Sequence, residues 1–318
     1  MTDRRDQGVG PADRSRVYEP LLAVDRQRYQ DDLQFIAASR PPGSDHWRAV
    51  QELCVTRFAA LGYSVERQDY GTGVNVLGRK LGRRAPREQV VLSAHYDSVA
   101  DCAGADDNGS GVAGLLEAAR ILARLTPSRT LLLACWDGEE AGTIGSAAYV
   151  EAAQQRGDAI VVAYVNEMIG FSSREPNTQQ LPLGLGWLFP TEVAQIAENH
   201  FRGDFIAVVF DEHASGASQR AASAMAAAAH GAGLALVGLQ VPRMLKVDRM
   251  LADLRRSDHA PFWEADYPAL MITDTANFRN TRYHCANGPD TVEALDHAFA
   301  AAVIEATVAS AQVMLEGG

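Results

Sequence analysis

The sequence predicts a single α/β domain with a largely parallel, mixed central sheet and helices on both faces. Three observations carry this prediction. Apolar runs of strand length alternate with segments of helical spacing over most of the chain. The strand-like runs are almost continuously apolar, as strands buried on both faces must be. Neither a linker-like stretch nor a repeat of 20 to 50 residues interrupts the alternation. The 318 residues are 47% hydrophobic and 22% charged, enough to bury a sizeable core and too apolar for disorder.

Residues 1–18 are polar, Arg/Asp-rich and aperiodic, so a flexible tail is expected there and the folded domain over 19–318. Residues 22–38 and 46–61 have apolar positions at helical spacing. Between them Arg40-Pro41-Pro42-Gly43-Ser44 reads as a loop ending in an N-cap, and Gly62 closes the second helix. Short β-prone runs at 63–67 and 74–79 precede a polar turn at 81–87 and an apolar run at 89–94. Helices are then predicted over 112–125, 146–156, 191–201, 218–229 and 292–315. Strands are predicted over 130–136, 159–165, 205–210, 234–239 and 269–273. The apolar segment 184–190 reads as a packed loop, with a specificity-pocket wall as the alternative.

Composition excludes several partners. Lys and Arg number 29 against 40 Asp and Glu, and a net charge of -11 repels phosphate backbones and anionic lipid, so nucleic acid is not expected. Residues 221–239 have no charged side chain and 298–315 only Glu305. Their Ala, Gly and Ser content is too weakly apolar for insertion, so both read as buried helices and no membrane partner is expected. Cys54, Cys102, Cys135 and Cys285 are widely separated without a CxxC pair and read as mostly reduced, packed thiols. The charged start lacks an apolar leader, which makes a cytoplasmic location the expectation. The oligomeric state is left open.

Open α/β sheets bind ligands at the carboxyl ends of their strands. The run 90–94 leads into His95-Tyr96-Asp97, the run 130–136 into Asp137-Gly138-Glu139-Glu140, and the run 159–165 into Asn166-Glu167. Between the first two lies the Gly-rich Gly104-Ala105-Asp106-Asp107-Asn108-Gly109-Ser110-Gly111. Singly these are ordinary: a core histidine, a solvated acidic turn, a helix N-cap. Their coincidence at successive strand ends points to one site. Carboxylates gathered in a crevice need a cation to remain ionised together, and His with Asp/Glu and no thiolate suits zinc. The number of donors favours two ions, about 3.5 Å apart and sharing a carboxylate.

These motifs, with Gly145-Ser146, Ser257-Asp258-His259-Ala260-Pro261-Phe262-Trp263 and Arg282-Tyr283-His284, resemble those of the di-zinc aminopeptidases that include bacterial leucyl aminopeptidases and aminopeptidase Y, with glutaminyl cyclases as distant relatives. They fall in the family's order across residues 90–291. The resemblance implies a zinc-exopeptidase-like fold, two zinc ions per chain and a peptide substrate cut at its N-terminal end. It implies Asp107 as the bridge, Glu140 and His284 completing one metal, and His95 and Glu167 completing the other. Glu139 would be the general base and Asp97 would orient His95. Asp258 and His259 would stand in the cleft wall, the plainer reading being a helix cap with a packed histidine. Tyr283 would stabilise an oxyanion, or merely pack.

The chain departs from the family in two places. Many members have Asp where this chain has Glu167, and the usual Thr-Pro-x-Asp after the last histidine is replaced by Cys285-Ala286-Asn287-Gly288-Pro289-Asp290, which weakens a substrate contact there. Cys285 is expected to be a partly buried spectator. The competing readings are a one-zinc cyclase-like acyltransferase, a carboxypeptidase or N-acyl hydrolase on the same scaffold, and a non-catalytic scaffold. The intact 104–111 loop and the full donor set argue against the cyclase and the scaffold.

Overall fold

The computed structural model describes residues 23–317, and the tail expected over 1–18 lies outside the described residues. The chain opens with α1 (Arg26–Ile36), capped by the Asp25 side chain, and α2 (Asp45–Ala60), capped by Ser44 as expected. Strands β1 (Ser64–Asp69) and β2 (Val74–Lys80) form an antiparallel hairpin. There follow β3 (Ala85–His95), α3 (Gly111–Leu122), β4 (Arg129–Trp136), α4 (Ile144–Arg156) and β5 (Ala159–Glu167). The second half contains the short α5 (Leu185–Leu188), α6 (Pro190–Glu198), β6 (Phe205–Asp211), α7 (Ala217–Gly231), β7 (Ala235–Val241), α8 (His259–Glu264), β8 (Ala269–Thr273) and α9 (His297–Glu316).

All eight strands belong to one sheet in the order β1-β2-β4-β3-β5-β8-β6-β7. Its centre, β4-β3-β5-β8, is parallel, while β2 joins β4 and β6 joins β8 antiparallel, so the mixed sheet agrees with expectation. Successive side chains of a strand face opposite sides. Val90, Leu92 and Ala94 of β3 therefore enter one apolar layer beneath α1, α2, α3, α7 and α9, whereas Val91 packs in a second layer with Tyr149 of α4 and Phe262 and Trp263 of α8. By length and composition α9 passes as a membrane span. It instead packs on α3 and α7, with Phe299, Val303 and Leu315 in the core.

Three expectations change. The turn read at 81–87 is partly strand, because β3 starts at Ala85, which pairs with Arg129 before a register shift to Gln89. The last helix does not begin at Val292: a short 3-10 turn covers Val292–Ala294, and Asp296 then caps α9 by accepting from the N–H groups of Ala298 and Phe299. Nor are all four cysteines reduced. Cys102 and Cys285 form a disulfide across 183 residues, with Cα atoms 5.6 Å apart, while Cys54 and Cys135 are free and buried. The loop leaving β3 and the loop carrying His284 meet at one sheet edge, a proximity that no local spacing reveals.

Candidate metal centre

The site is built where β3, β4 and β5 end. His95 closes β3 and is fully buried, and Glu167 closes β5. Asp107 comes from the Ala105–Ser110 turn, which includes a cis Asp107–Asn108 peptide bond. That turn is fastened to the end of β5 by side chains. Asn108 Nδ2 donates to Asn166 O at 2.8 Å and its Oδ1 accepts from Met168 N–H at 3.0 Å, while Ser110 Oγ accepts from Ile169 N–H at 2.9 Å. The loop bearing Asp107 and the strand bearing Glu167 are therefore tied directly to each other.

Asp107 faces two histidines with different oxygens. Its Oδ1 lies 3.4 Å from His95 Nε2 and its Oδ2 lies 3.2 Å from His284 Nε2. On the first side Glu167 Oε2 lies 3.5 Å from His95 Nε2; on the second Glu140 Oε2 lies 3.1 Å from His284 Nε2. Donor atoms thus converge in two groups, His95/Asp107/Glu167 and Asp107/Glu140/His284, with Asp107 in both. Neither ring nitrogen of His95 has a hydrogen-bond partner despite complete burial. A buried imidazole left unbonded among carboxylates fits a cation, and His with carboxylate oxygens is a zinc donor set.

Asp97 organises this ground. Its two oxygens accept from the N–H groups of Glu139 and Glu140, each at 3.2 Å, and its Oδ1 stands 3.4 Å from His95 Nδ1. One buried carboxylate therefore aligns the Glu139-Glu140 turn and faces the imidazole, so both glutamates are presented by a single acceptor. Glu140 also accepts from Val99 N–H at 3.2 Å. Glu139 Oε2 is 3.9 Å from His95 Nε2, and its side chain is 13% exposed, at the mouth of the cluster.

Without a metal the cluster's charges act on one another. Burial opposes a charged His95, yet Glu139, Glu167, Asp107 and Asp97 outweigh it and hold its pKa well above the usual value. Contacts with Asp107 and Glu140 push His284 up to about 10. Burial works against the Asp107 carboxylate, but His284 and His95 hold its pKa below the ordinary range. Burial raises Glu139 well above an ordinary carboxyl, reinforced by Glu167, Asp258 and Glu140 against the opposing effect of His95. Burial also raises Glu140.

The remaining sequence candidates divide. Asp258 starts α8 without capping it; its Oδ1 accepts from Ser146 Oγ at 2.5 Å, its Oδ2 is buried without a partner, and burial pushes its pKa to about 7. His259 packs beneath α8, with Nε2 2.9 Å from Leu254 O and its ring edge-on to Trp263 at 4.6 Å. Tyr283 stacks on the His284 ring at 3.8 Å, and its hydroxyl accepts from Arg256 at 3.0 Å. Sequence reasoning missed Ser257, whose Oγ donates to Glu167 Oε2 at 2.6 Å; only its place before Asp258 hinted at it. The segment at 184–190 is packed through Leu185 and Phe189 in the second apolar layer, and part of it is the short helix α5 rather than a loop. Leu185 lines a pocket beside Glu167 while Trp187 is 92% exposed.

A mixed α/β sheet that gathers histidines and carboxylates around one shared aspartate has the fold and donor set of a zinc metallopeptidase. The chain belongs to peptidase family M28, whose model matches residues 75–311. It is 32% identical over 233 residues to the Escherichia coli protein YfbL, covering 69% of this chain and 65% of that one. It is 29% identical over 272 residues to a probable zinc metalloprotease of Pyrenophora tritici-repentis, covering 78% of this chain and 55% of the relative. The chain therefore spans less than two thirds of these relatives. In fold it resembles the Legionella pneumophila aminopeptidase LapA, with TM-score 0.69 at 17% identity over 92% of this chain and 72% of that one. Porphyromonas gingivalis glutaminyl cyclase has TM-score 0.63 at 16% identity, over 91% and 98%.

Proposed function

We propose that the protein is a two-zinc aminopeptidase that removes apolar N-terminal residues from peptides. The observation that carries this reading is Asp107, which faces His95 with one oxygen and His284 with the other. His95 and Glu167 would hold one zinc, Glu140 and His284 the other, with Asp107 common to both. When bound, zinc supplies the Lewis acidity that polarises a peptide carbonyl and makes water a nucleophile near neutral pH. Glu139 is the general base: its carboxylate stands at the mouth of the cluster, 3.9 Å from His95 Nε2 and next to Glu140 in sequence. It accepts the proton of the attacking water at a carboxylate oxygen and delivers it to the leaving amine. Asp97 fixes the backbone from which Glu139 projects.

The residue at the cleaved end is read from the neighbouring pocket. This cavity has Glu167 and Tyr283 in its wall, with Leu185, Ile196, Val209 and Met271 among its predominantly apolar lining and Asp253, Arg256 and Gln179 among its polar positions. Such a lining suits an aliphatic or aromatic side chain and disfavours a charged one. Disulfides persist in oxidising compartments, so the Cys102–Cys285 bond favours such a compartment over the cytoplasm expected from the sequence.

The test is zinc content per chain together with hydrolysis of a panel of aminoacyl anilides by wild type and Glu139→Gln. We expect about two zinc ions and a preference for apolar residues. In the variant activity falls by on the order of 10² to 10⁴ while zinc is retained. One zinc with cyclisation of N-terminal glutamine would transfer the protein to the cyclase reading. Bound zinc without hydrolysis of any amide would make it a scaffold.

A further inference from the structure

Arg40 and Asp290 stand behind the metal centre, and neither has a part in the chemistry above. Arg40 is fully buried, and all acceptors of its guanidinium are backbone carbonyls. Its Nε donates to Tyr96 O at 2.8 Å. Nη1 donates to Ala103 O at 2.7 Å, with longer contacts to Ile36 O and Ala38 O, and Nη2 donates to Gly104 O at 2.9 Å and Asp107 O at 3.3 Å. One planar fork thus ties the end of α1 and the exit of β3 to the loop that presents Asp107. No Lys side chain could do this, since an ammonium lacks the fixed, divergent donors of a guanidinium.

Asp290 holds the same loop from its other polarity. It is fully buried, and its Oδ2 accepts from the N–H groups of Asp106 at 2.9 Å and Asp107 at 3.1 Å. It follows closely on His284, so it joins the loops carrying two donors of one half of the site. Gly104 makes room for the arrangement: it has φ of +54°, and a Cβ there would lie 2.2 Å from Asp107 O and 3.1 Å from Arg40 Nη1. The loop is therefore gripped through its carbonyls by a buried cation and through its N–H groups by a buried carboxylate.

We propose that Arg40 and Asp290 form a two-sided clamp on the backbone of residues 104–107 that sets the position of the shared Asp107 carboxylate. Both are positioning residues of the metal centre. The proposal rests on reading His95, Asp107, Glu140, Glu167 and His284 as metal ligands. It goes beyond that reading in naming what aims the bridging one.

The test uses Arg40→Lys, which keeps the charge and loses the fork, and Asp290→Asn, which keeps the shape and loses the charge. Chelator-stripped protein is titrated with Zn²⁺ against a competing chromophoric chelator, and the Co²⁺-loaded protein is followed by its visible absorption bands. Residues that orient ligands typically change metal affinity by about 10- to 100-fold. We expect weakening in that range in each variant, with shifted cobalt bands. If the variants melt earlier when metal-free but bind zinc with wild-type affinity and give the wild-type cobalt spectrum, the two residues serve the fold alone and the clamp is overturned. Asp290→Asn decides alone should Arg40→Lys not fold. A wild type that binds no zinc would instead defeat the ligand reading itself, and neither outcome depends on peptide cleavage.

Discussion

His95 and His284 face the same aspartate from two sides, on different foundations. His95 is the last residue of a central strand, paired on one side with β4, and is fully buried. His284 sits in an isolated 3-10 turn with φ of +52°, its side chain 37% exposed. The sheet itself places the first. The second is placed by local fastenings: the Tyr283 ring stacked against it, the Arg256 guanidinium over Tyr283, and the disulfide from Cys285 to Cys102. A donor supplied by the fold is rigid for as long as the fold lasts, whereas one supplied by a cross-linked loop depends on its cross-links. The two halves of the centre should therefore differ in how readily they give up metal.

The strongest challenge to this comparison is Asp107→Ala, because the halves are independent only if Asp107 is not essential to both. We expect both metals to be lost and activity to fall by on the order of 10³-fold or more, as several kcal/mol of metal-dependent transition-state stabilisation disappears. Two retained zinc ions would break the shared-ligand geometry. Next in size is the contrast between His284→Ala and His95→Ala. The first should bind about one zinc and keep its melting temperature when metal-free. The second should lose zinc from the buried half and also unfold more readily, since a fully buried side chain is truncated there. Equal losses in the two variants would erase the difference between the halves. A smaller effect is expected from Cys285→Ser, which removes the disulfide. A native disulfide is worth about 2 to 5 kcal/mol, and zinc should leave the His284 half faster on addition of chelator while the His95 half keeps its wild-type rate.

The same contrast separates what the sequence revealed from what it hid. His95, Glu139, Glu140 and Glu167 were legible because a parallel strand delivers its last residues to the ligand-binding edge, so an apolar run followed by a polar residue locates both strand and site. The glycines marked the loop that carries Asp106 and Asp107, and only the resemblance singled out Asp107. His284 rested on a resemblance alone, since a 3-10 turn has no periodicity to announce it. The fastenings were invisible for the same reason. Cys102 and Cys285 are 183 residues apart, and Arg40 is followed by Pro-Pro-Gly, a pattern that reads as a loop and gives no sign that the guanidinium is buried. Asp296 lay inside an apolar stretch that reads as continuous helix, and only its hydrogen bonds to Ala298 and Phe299 show that α9 begins after it. Local spacing reports the partner a residue meets in its own element, and it is blind to partners brought by the sheet.

A third imidazole sharpens the comparison with the smallest expected effect. His259 is as buried as His95, but no carboxylate faces it. Its Nε2 lies against Leu254 O, its Nδ1 has no partner, and burial together with the nearby Arg255 charge pushes its pKa down to about 4. Burial beside a cation thus lowers a histidine, whereas carboxylates raise one. The folded pKa of His259 lies below the unfolded value near 6.5, so the folded state binds fewer protons between the two. The stability this neutral imidazole confers is complete above about pH 6.5 and is lost as pH falls through 4. A difference of that size corresponds to roughly 3 kcal/mol at 1.36 kcal/mol per pH unit. His259→Gln retains an N–H for Leu254 O and cannot take up a proton in this range. In urea unfolding of chelator-treated protein, the stability of wild type relative to this variant should fall by about 3 kcal/mol between pH 7 and pH 4. A difference that stays flat across that range would mean that His259 is hydrated or charged in the folded state, and its contrast with the carboxylate-facing histidines would fail.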